Sequence, residues 1–175
     1  DEYITALNIY ASLLYKLEKY ADSIKSQREL VEIIKEHYGT TQPFYANALS
    51  LLADCYEKTD NLEMGISLKQ KAINILKKCC GTNHVIYASY LSELGEFYLA
   101  AGEYAKAAAL YSQALDIRTK ILGLDDKDCV EYVQTLASIY SLMKLYNKAE
   151  DLLNYALNNL SKANKNYGKI VLELV

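Results

Sequence analysis

The sequence predicts an all-α fold, an α-α superhelix (solenoid) of four antiparallel helix hairpins followed by the start of a fifth unit. The main observation is a repeat, because Gly39, Gly81 and Gly123 are 42 residues apart. The composition agrees with helices, since one Pro and seven Gly among 175 residues leave few positions for the frequent turns of an all-β domain. With 51% hydrophobic residues, the chain is able to bury a substantial core.

The first helix of each predicted hairpin is marked by small and large residues that recur at this period. In the third unit they are Leu91, Gly95 and Tyr98, whose spacing places them on one stripe of a helix. The same positions hold Leu7, Ala11 and Leu14, then Leu49, Ala53 and Tyr56, and finally Val133, Ala137 and Tyr140.

The second helix of each hairpin follows a short polar link and has its own recurrent small residues, such as Ala107 and Ala114 in the third unit. Two antiparallel helices approach closely only where one has Ala or Gly opposite a large residue of the other. An isolated hairpin would leave an apolar face in water, so we expect each unit to stack on the next. The alternative is a plain helical bundle, which does not require small and large residues to recur together in four units.

The pattern also sets the predicted limits of the elements. Helices are expected at 2–16 and 20–37, 43–58 and 62–79, 85–100 and 104–121, and 127–142 and 146–163. The repeats then cover about 1–39, 40–81, 82–123 and 124–166 of a single domain that spans 1–175. Residues 167–175 are expected to form a partial repeat or a cap, because Val175 keeps the register of Leu7. Both ends lie within the repeat pattern and the chain does not begin with Met, so we expect a fragment of a longer protein.

The third unit carries the clearest family signature, in residues 91–123 (LSELGEFYLAAGEYAKAAALYSQALDIRTKILG). The matching positions are Leu91, Leu94, Gly95, Tyr98, Gly102, Tyr104, Ala107, Tyr111, Ala114 and Leu115. This pattern resembles the tetratricopeptide repeat (TPR) family, in particular its 42-residue variety found in kinesin light chain. The resemblance extends over nearly the whole chain and implies a helical scaffold that binds other proteins.

The links between units keep only part of the Gly-x-x-His-Pro pattern of that variety. Gly81 is followed by His84 and then Val85, whereas Gly39 is followed by Pro43 without the His. Gly permits a positive backbone angle after a helix, and Pro suits a first helical turn. We therefore interpret His84 as a helix cap rather than a ligand or a base.

The resemblance implies that the first helices line a concave groove, in which the residues between the packing positions face a bound peptide. Short hydroxyl and amide groups are able to bond to an extended peptide backbone. Asn8 matches an Asn that binds cargo peptide in kinesin light chain. The predicted peptide-binding residues are Asn8, Ser12, Tyr15, Asn47, Ser50, Asp54, Glu57, Ser89, Ser92, Glu96, Glu131, Gln134 and Ser138.

The predicted groove is mildly acidic. Its acids are Asp54, Glu57, Glu96 and Glu131. Only two basic residues, Lys16 and Lys58, are near its edge. We therefore hypothesise a partner peptide or helix that carries Lys or Arg, with charge setting association rate and selectivity more than affinity. The alternative is an ordinary solvated helix face that has no partner.

Other classes of partner have little support. With 19 basic and 22 acidic residues, the net charge of −3 gives no electrostatic reason to bind nucleic acid. No apolar stretch reaches the roughly 18 to 20 residues that span a membrane, and the opening DEYITALNIY does not resemble a signal peptide. We therefore expect a cytoplasmic protein that does not contact membranes.

The sequence predicts no catalytic residues, no cofactor and no metal site. His37 and His84 lie near helix ends, without a nucleophile motif or a Gly-rich phosphate loop. Cys79 and Cys80 could join His84 in a zinc site, but adjacent residues face different directions on a helix. All four cysteines fall in apolar helical patterns, which suits reduced, partly buried thiols.

The sequence therefore predicts a non-enzymatic scaffold or adaptor that binds a peptide or partner segment in the groove. Two alternatives stay open. One is a regulatory, peptide-sensing repeat segment of a larger regulator or enzyme, which the flanking sequence would reveal. The other is a self-assembly module, in which the C-terminal end near Ile170 to Val175 exposes apolar surface to a second copy.

Overall fold

The computed structural model describes residues 2–160, which form eight α-helices and no strand. They are α1 (Glu2–Lys16), α2 (Tyr20–Tyr38), α3 (Pro43–Glu57), α4 (Leu62–Cys79), α5 (Val85–Ala100), α6 (Tyr104–Leu122), α7 (Lys127–Leu142) and α8 (Tyr146–Asn159). The predicted limits agree to within one residue for α1 to α7. The predicted end of α8 at residue 163 is wrong, because Leu160 takes an extended backbone (φ −76°, ψ 143°) and buries its side chain. The element expected at 167–175 lies outside the described residues.

The chain divides into two compact units, with the division between Thr82 and Asn83. Unit 1 contains α1 to α4 and unit 2 contains α5 to α8, and in each unit every helix packs against the next one along the chain. Only three or four residues join the helices of a hairpin, as at 17–19 and 58–61, so these helices run antiparallel. The predicted all-α hairpin fold is confirmed, while the single domain over 1–175 and the limits of the repeats stay predictions.

Two backbone positions with positive φ recur in the repeat. One follows the first helix of each hairpin, at Glu18, Asp60, Gly102 and Lys144, with φ between 55° and 73°. The other follows the second helix, at Gly39, Gly81 and Gly123, with φ between 77° and 84°. At Gly39 and Gly123 ψ is −178° and 165°, a region of backbone space that is open essentially only to Gly. This requirement explains why Gly recurs at the links between hairpins.

Two side-chain caps and one proline mark where three of the first helices begin. The Nδ1 atom of His84 accepts a hydrogen bond from the Ile86 backbone N–H at 3.1 Å, so the interpretation of His84 as a cap of α5 is confirmed. Asp126 plays the same role for α7 by accepting from the Cys129 N–H at 3.4 Å. Pro43 is the first residue of α3, where no intrahelical N–H is needed.

The small residues of the repeat lie at the helix contacts, as predicted. Ala11, Ala53 and Ala114 have no exposed surface. At Gly95, an added Cβ would lie 2.8 Å from two ring carbons of Tyr111, which is closer than side-chain carbons pack. Helix α5 therefore approaches α6 this closely only because Gly95 has no side chain.

Candidate protein-binding faces

The thirteen predicted binding residues lie on the first helices of the hairpins, α1 and α3 in unit 1 and α5 and α7 in unit 2. The exposed members are Asn47, Glu96, Glu131 and Ser138. The partly buried members are Asn8, Ser12, Tyr15, Asp54, Glu57, Ser89 and Gln134. The remaining two, Ser50 and Ser92, are buried.

The expectation that Ser50 and Ser92 point outward is wrong. The Ser50 hydroxyl accepts a hydrogen bond from the Lys69 ammonium at 2.6 Å. The Ser92 hydroxyl donates to the Ser89 carbonyl oxygen at 2.8 Å and lies 2.8 Å from the Tyr132 hydroxyl. Both serines are covered by long side chains from neighbouring helices, and they hold those side chains in place instead of presenting hydroxyls to a partner.

Lys69 changes the charge of the first-helix face in unit 1. Its side chain is 1% exposed, and its Nζ lies 2.8 Å from Asp54 Oδ1. Burying an ammonium costs several kcal/mol unless a counter-charge lies beside it, and here that counter-charge is Asp54. Glu57 is likewise 3.2 Å from Lys58. The acids that the sequence assigns to the groove in unit 1 are therefore matched by lysines.

Lys69 belongs to a recurrent position of the second helices, which we call the crossing position because its side chain turns toward the first helices. Its members, each 42 residues from the next, are Gln27, Lys69, Tyr111 and Leu153. All four are buried, with at most 4% of their surface exposed. Counting charges on the first helices alone misses this position, although the 42-residue period contains the signal that would find it.

Tyr111 fills the crossing position of the third hairpin, in unit 2. Its ring packs on Gly95 and makes an edge contact with the ring of Tyr132, with 5.7 Å between the ring centroids. Burial, together with the nearby carboxylates of Glu96 and Glu131, raises the pKa of the Tyr111 hydroxyl far above its ordinary value. Glu96 and Glu131 are both exposed, so unit 2 presents two carboxylates around one buried hydroxyl.

Arg118 is a second buried cation that charge counting on the first helices does not reveal. It is 6% exposed, and its guanidinium lies 2.8 Å from carboxylate oxygens of Asp126 and Asp128 at the start of α7. Its Nη1 also donates to the Ser89 hydroxyl at 3.3 Å. These contacts join α5, α6 and α7 within unit 2, and they engage Ser89 in the structure of the unit.

A pocket of about 150 Å³ opens between α1, α2 and α3 of unit 1. Three predicted binding residues, Ser12, Tyr15 and Asp54, lie in its wall. The pocket also includes Gln27 from the crossing position, which is not among the predicted binding residues. Unit 1 therefore gathers polar side chains from three helices around one small opening.

The match with known families agrees with this architecture. A family model described as tetratricopeptide repeat matches residues 2–78, 48–120 and 86–162. The chain belongs to the tetratricopeptide repeat family. The resemblance noted in the sequence is thus confirmed, whereas no curated protein matches this chain.

Several solved TPR structures share the fold. A protein of Podosopora anserina assigned as a kinesin light chain, with nearly identical TPR-like repeats, has a TM-score of 0.85 at 18% identity, covering 98% of this chain and 83% of that one. BtubC (BKLC) from P. vanneervenii has a TM-score of 0.79 at 16% identity, covering 96% and 68%. MamA has a TM-score of 0.64 at 20% identity, covering 89% and 72%. At these identities the likeness shows the fold alone.

TPR repeats generally serve as scaffolds for protein–protein interaction, and the fold is typically not enzymatic. Among residues 2–160, no helix is long and apolar enough to cross a membrane. The same residues contain no group of three or more His, Cys, Asp or Glu side chains that could hold a metal ion.

The cysteines of this TPR chain differ from the expectation of partly buried thiols. Cys55 and Cys129 are buried, and burial raises the pKa of both thiols. Cys79 and Cys80 are exposed, and their sulfur atoms lie 3.3 Å apart. The expectation that these two side chains diverge is wrong, because Cys80 follows the last residue of α4 and has left regular helix geometry (φ −114°, ψ −11°).

Proposed function

We propose that this TPR chain is a non-catalytic scaffold that binds a segment of a partner protein on the first-helix faces of its units. Binding in unit 2 uses a Lys or Arg side chain of the partner, which lies between Glu96 and Glu131. The observation that carries this proposal is the pair of exposed carboxylates around the Tyr111 hydroxyl. Opposite charges that meet in this way favour selective association and speed it at low salt.

The lysine distribution favours unit 2 over unit 1 for a basic partner. Asp54 already balances the buried Lys69, and Glu57 lies beside Lys58. By contrast, α5 contains no Lys or Arg, and the only basic residue of α7 is Lys127 at its first position. Arg118 of α6 also reaches these helices, but Asp126 and Asp128 match its charge. An incoming cation therefore still meets the negative charge of Glu96 and Glu131 on the first helices of unit 2.

Neutral polar groups would supply the rest of the contact. In unit 2, Ser138 is exposed on α7 and Gln134 lies one turn before it. In unit 1, Asn47 is exposed on α3 and would act in the same way on a segment bound to that unit. Amide and hydroxyl groups bond to the backbone of an extended segment irrespective of its sequence. In this proposal, the polar groups provide general affinity and the two carboxylates provide selectivity for a basic residue.

A peptide-display selection with the full 175-residue chain tests the proposal. Random peptides selected on the wild type are expected to be enriched in Lys or Arg, and the Glu96→Gln, Glu131→Gln variant should lose that enrichment. Exposed ion pairs contribute up to about 1 kcal/mol each, so a selected basic peptide should bind the variant roughly tenfold more weakly.

The matched control is Glu63→Gln with Glu150→Gln, which makes the same change in net charge on the exposed surface of second helices. This control should select the same basic peptides as the wild type. If the control and the first-helix variant lose affinity equally, only net charge matters and the assigned site is wrong. If the wild type enriches no peptides, the scaffold proposal itself is wrong.

A further inference from the structure

We propose that the pocket between α1, α2 and α3 in unit 1 binds the side-chain carboxamide of an Asn or Gln residue in a partner protein. This inference deepens the proposed function and rests on it, since it names the chemistry that unit 1 selects in a bound segment. It concerns a different unit and a different kind of side chain from the basic selectivity of unit 2.

The strongest reason is a buried acceptor that has no partner. Gln27 is 2% exposed and lies in the pocket wall, and its Oε1 makes no hydrogen bond. A buried carbonyl oxygen that loses its bonds to water without gaining another destabilises the fold, so such atoms are rare. Asn8, one turn before Ser12 on α1, has a second buried oxygen of this kind, Oδ1.

The other residues at the crossing position show what Gln27 lacks. Lys69 donates to Ser50 and pairs with Asp54. Tyr111 lies against the carboxylate of Glu96, and Leu153 has no polar atom to satisfy. Among the described members of this position, Gln27 is therefore the one that lies in a pocket wall and has a buried polar atom without a hydrogen-bond partner.

The space is large enough for a side-chain group. The pocket volume of about 150 Å³ is roughly ten times the 15 Å³ that a cavity needs in order to hold one water molecule. Leu51 forms an apolar part of the wall, against which the methylene groups of an entering side chain would pack. The thiol of Cys55 is already 3.2 Å from the Ser23 hydroxyl, so it does not serve the ligand.

The charges around the pocket favour a neutral ligand. The Asp54 carboxylate is balanced by Lys69 at 2.8 Å, and Lys16 adds a further positive charge to the wall. An entering Lys or Arg would therefore meet no excess of negative charge. An entering carboxylate cannot donate a hydrogen bond to the Gln27 oxygen.

A carboxamide is neutral and carries an N–H donor, so it meets both requirements of the pocket. Its N–H donates to Gln27 Oε1, and its carbonyl oxygen accepts from the Ser12 hydroxyl or from the Lys16 ammonium. The Tyr15 hydroxyl is a further donor in the wall, and burial raises its pKa, so it keeps its proton at neutral pH. The carboxamides of Asn and Gln carry the N–H donor and the carbonyl acceptor side by side on one small neutral group.

The peptide-display selection on the full chain tests this inference with the Gln27→Leu variant, which places an apolar side chain of similar size at this position. Wild-type selections should contain an enriched Asn or Gln, in the basic peptides or in a separate set. Gln27→Leu should lose that preference, keep the Lys or Arg preference, and bind an Asn-containing selected peptide about tenfold more weakly, the value of one good hydrogen bond. Replacing that Asn by Leu in the peptide should have the same effect on the wild type.

The outcomes separate the two proposals. Enrichment of Lys or Arg without Asn or Gln overturns this inference and leaves the proposed function intact, whereas the absence of any enriched motif overturns both. Thermal unfolding gives an independent check on the free chain. Gln27→Leu should melt at the same temperature as the wild type or higher, and a lower melting temperature would show that the Gln27 amide already makes a stabilising contact in the free chain, which overturns the carboxamide site.

Discussion

Units 1 and 2 use the crossing position in opposite ways. In unit 1 the buried ammonium of Lys69 reaches the first-helix face and balances Asp54. In unit 2 the buried hydroxyl of Tyr111 is neutral and leaves Glu96 and Glu131 as acids on the exposed face. The difference teaches that the charge of a helical face depends on side chains that arrive from the helix behind it. Two faces with similar sequences can therefore select different partners.

The largest expected effect is a loss of folding stability when the first-helix carboxylate of unit 1 is removed, compared with the equivalent carboxylate of unit 2. Asp54 and Glu96 occupy equivalent positions 42 residues apart. Asp54→Asn removes the negative charge beside a buried ammonium and should lower the free energy of unfolding by about 3 kcal/mol. This is the lower end of the range for buried pairs, because the Asp54 side chain is 35% exposed. Urea denaturation at neutral pH measures the loss.

Glu96→Gln is the matched control, since it removes the same charge from unit 2 without leaving a buried cation. It should change the free energy of unfolding by less than about 0.5 kcal/mol, as is usual for surface substitutions. Equal losses in the two variants would contradict the view that only unit 1 depends on its first-helix acid for folding.

A smaller effect is expected from the contact between Gly95 and Tyr111. Gly95→Ala places a methyl group 2.8 Å from the Tyr111 ring, so overpacking should cost about 1 to 2 kcal/mol after the better helix propensity of Ala is counted. In the background of Tyr111→Leu, which copies the Ala137 and Leu153 pair of the fourth hairpin, the same change should cost nothing or stabilise. A double-mutant cycle measured by thermal unfolding gives this coupling, and additive effects would rule out the proposed clash.

The smallest effect concerns alkaline pH. The folded-state pKa of Tyr111 is raised, so the folded chain keeps this proton after the unfolded chain has lost it. The stabilisation is fully present below the ordinary tyrosine pKa of about 10 and declines above it, by up to about 1.4 kcal/mol per pH unit. Tyr111→Phe should therefore lose stability less steeply than the wild type between about pH 10 and 11.

The matched comparison for this pH effect is Tyr15→Phe in unit 1, where the hydroxyl is only partly buried and its pKa is also raised. Its slope should differ less from that of the wild type. The urea midpoint of each variant, measured across this pH range, gives the change of stability with pH. Identical changes for Tyr111→Phe and the wild type would contradict the raised pKa of Tyr111.

Much of the fold could be predicted because backbone geometry repeats with the sequence. Gly39 and Gly123 adopt dihedral angles that other residues avoid, so their spacing reports the links between hairpins directly. Small residues such as Ala53 and Ala114 mark helix contacts that leave them no exposed surface. These constraints act on single positions, and a single sequence is therefore enough to reveal them.

The candidate site was less predictable because it depends on side chains from different helices. Ser50 has the position of an outward residue, but it is buried and hydrogen-bonded to Lys69, which reaches it from α4. The approach of the Cys79 and Cys80 sulfur atoms depends on where α4 ends, which a periodic pattern locates only approximately. Helix periodicity predicts the direction in which a side chain leaves its own helix, but not what lies across the contact.

The pairing of Gly95 with Tyr111 has a consequence for how such a chain changes over time. Both residues belong to one hairpin, as do Lys69 and its counter-charge Asp54. A single helix copied from one repeat into another would bring half of such a pair and leave the other half behind. Whole hairpins carry both halves, so the natural unit of duplication or exchange has its boundaries at the glycine links, such as Gly39 and Gly123, and not at the shorter turns inside a hairpin.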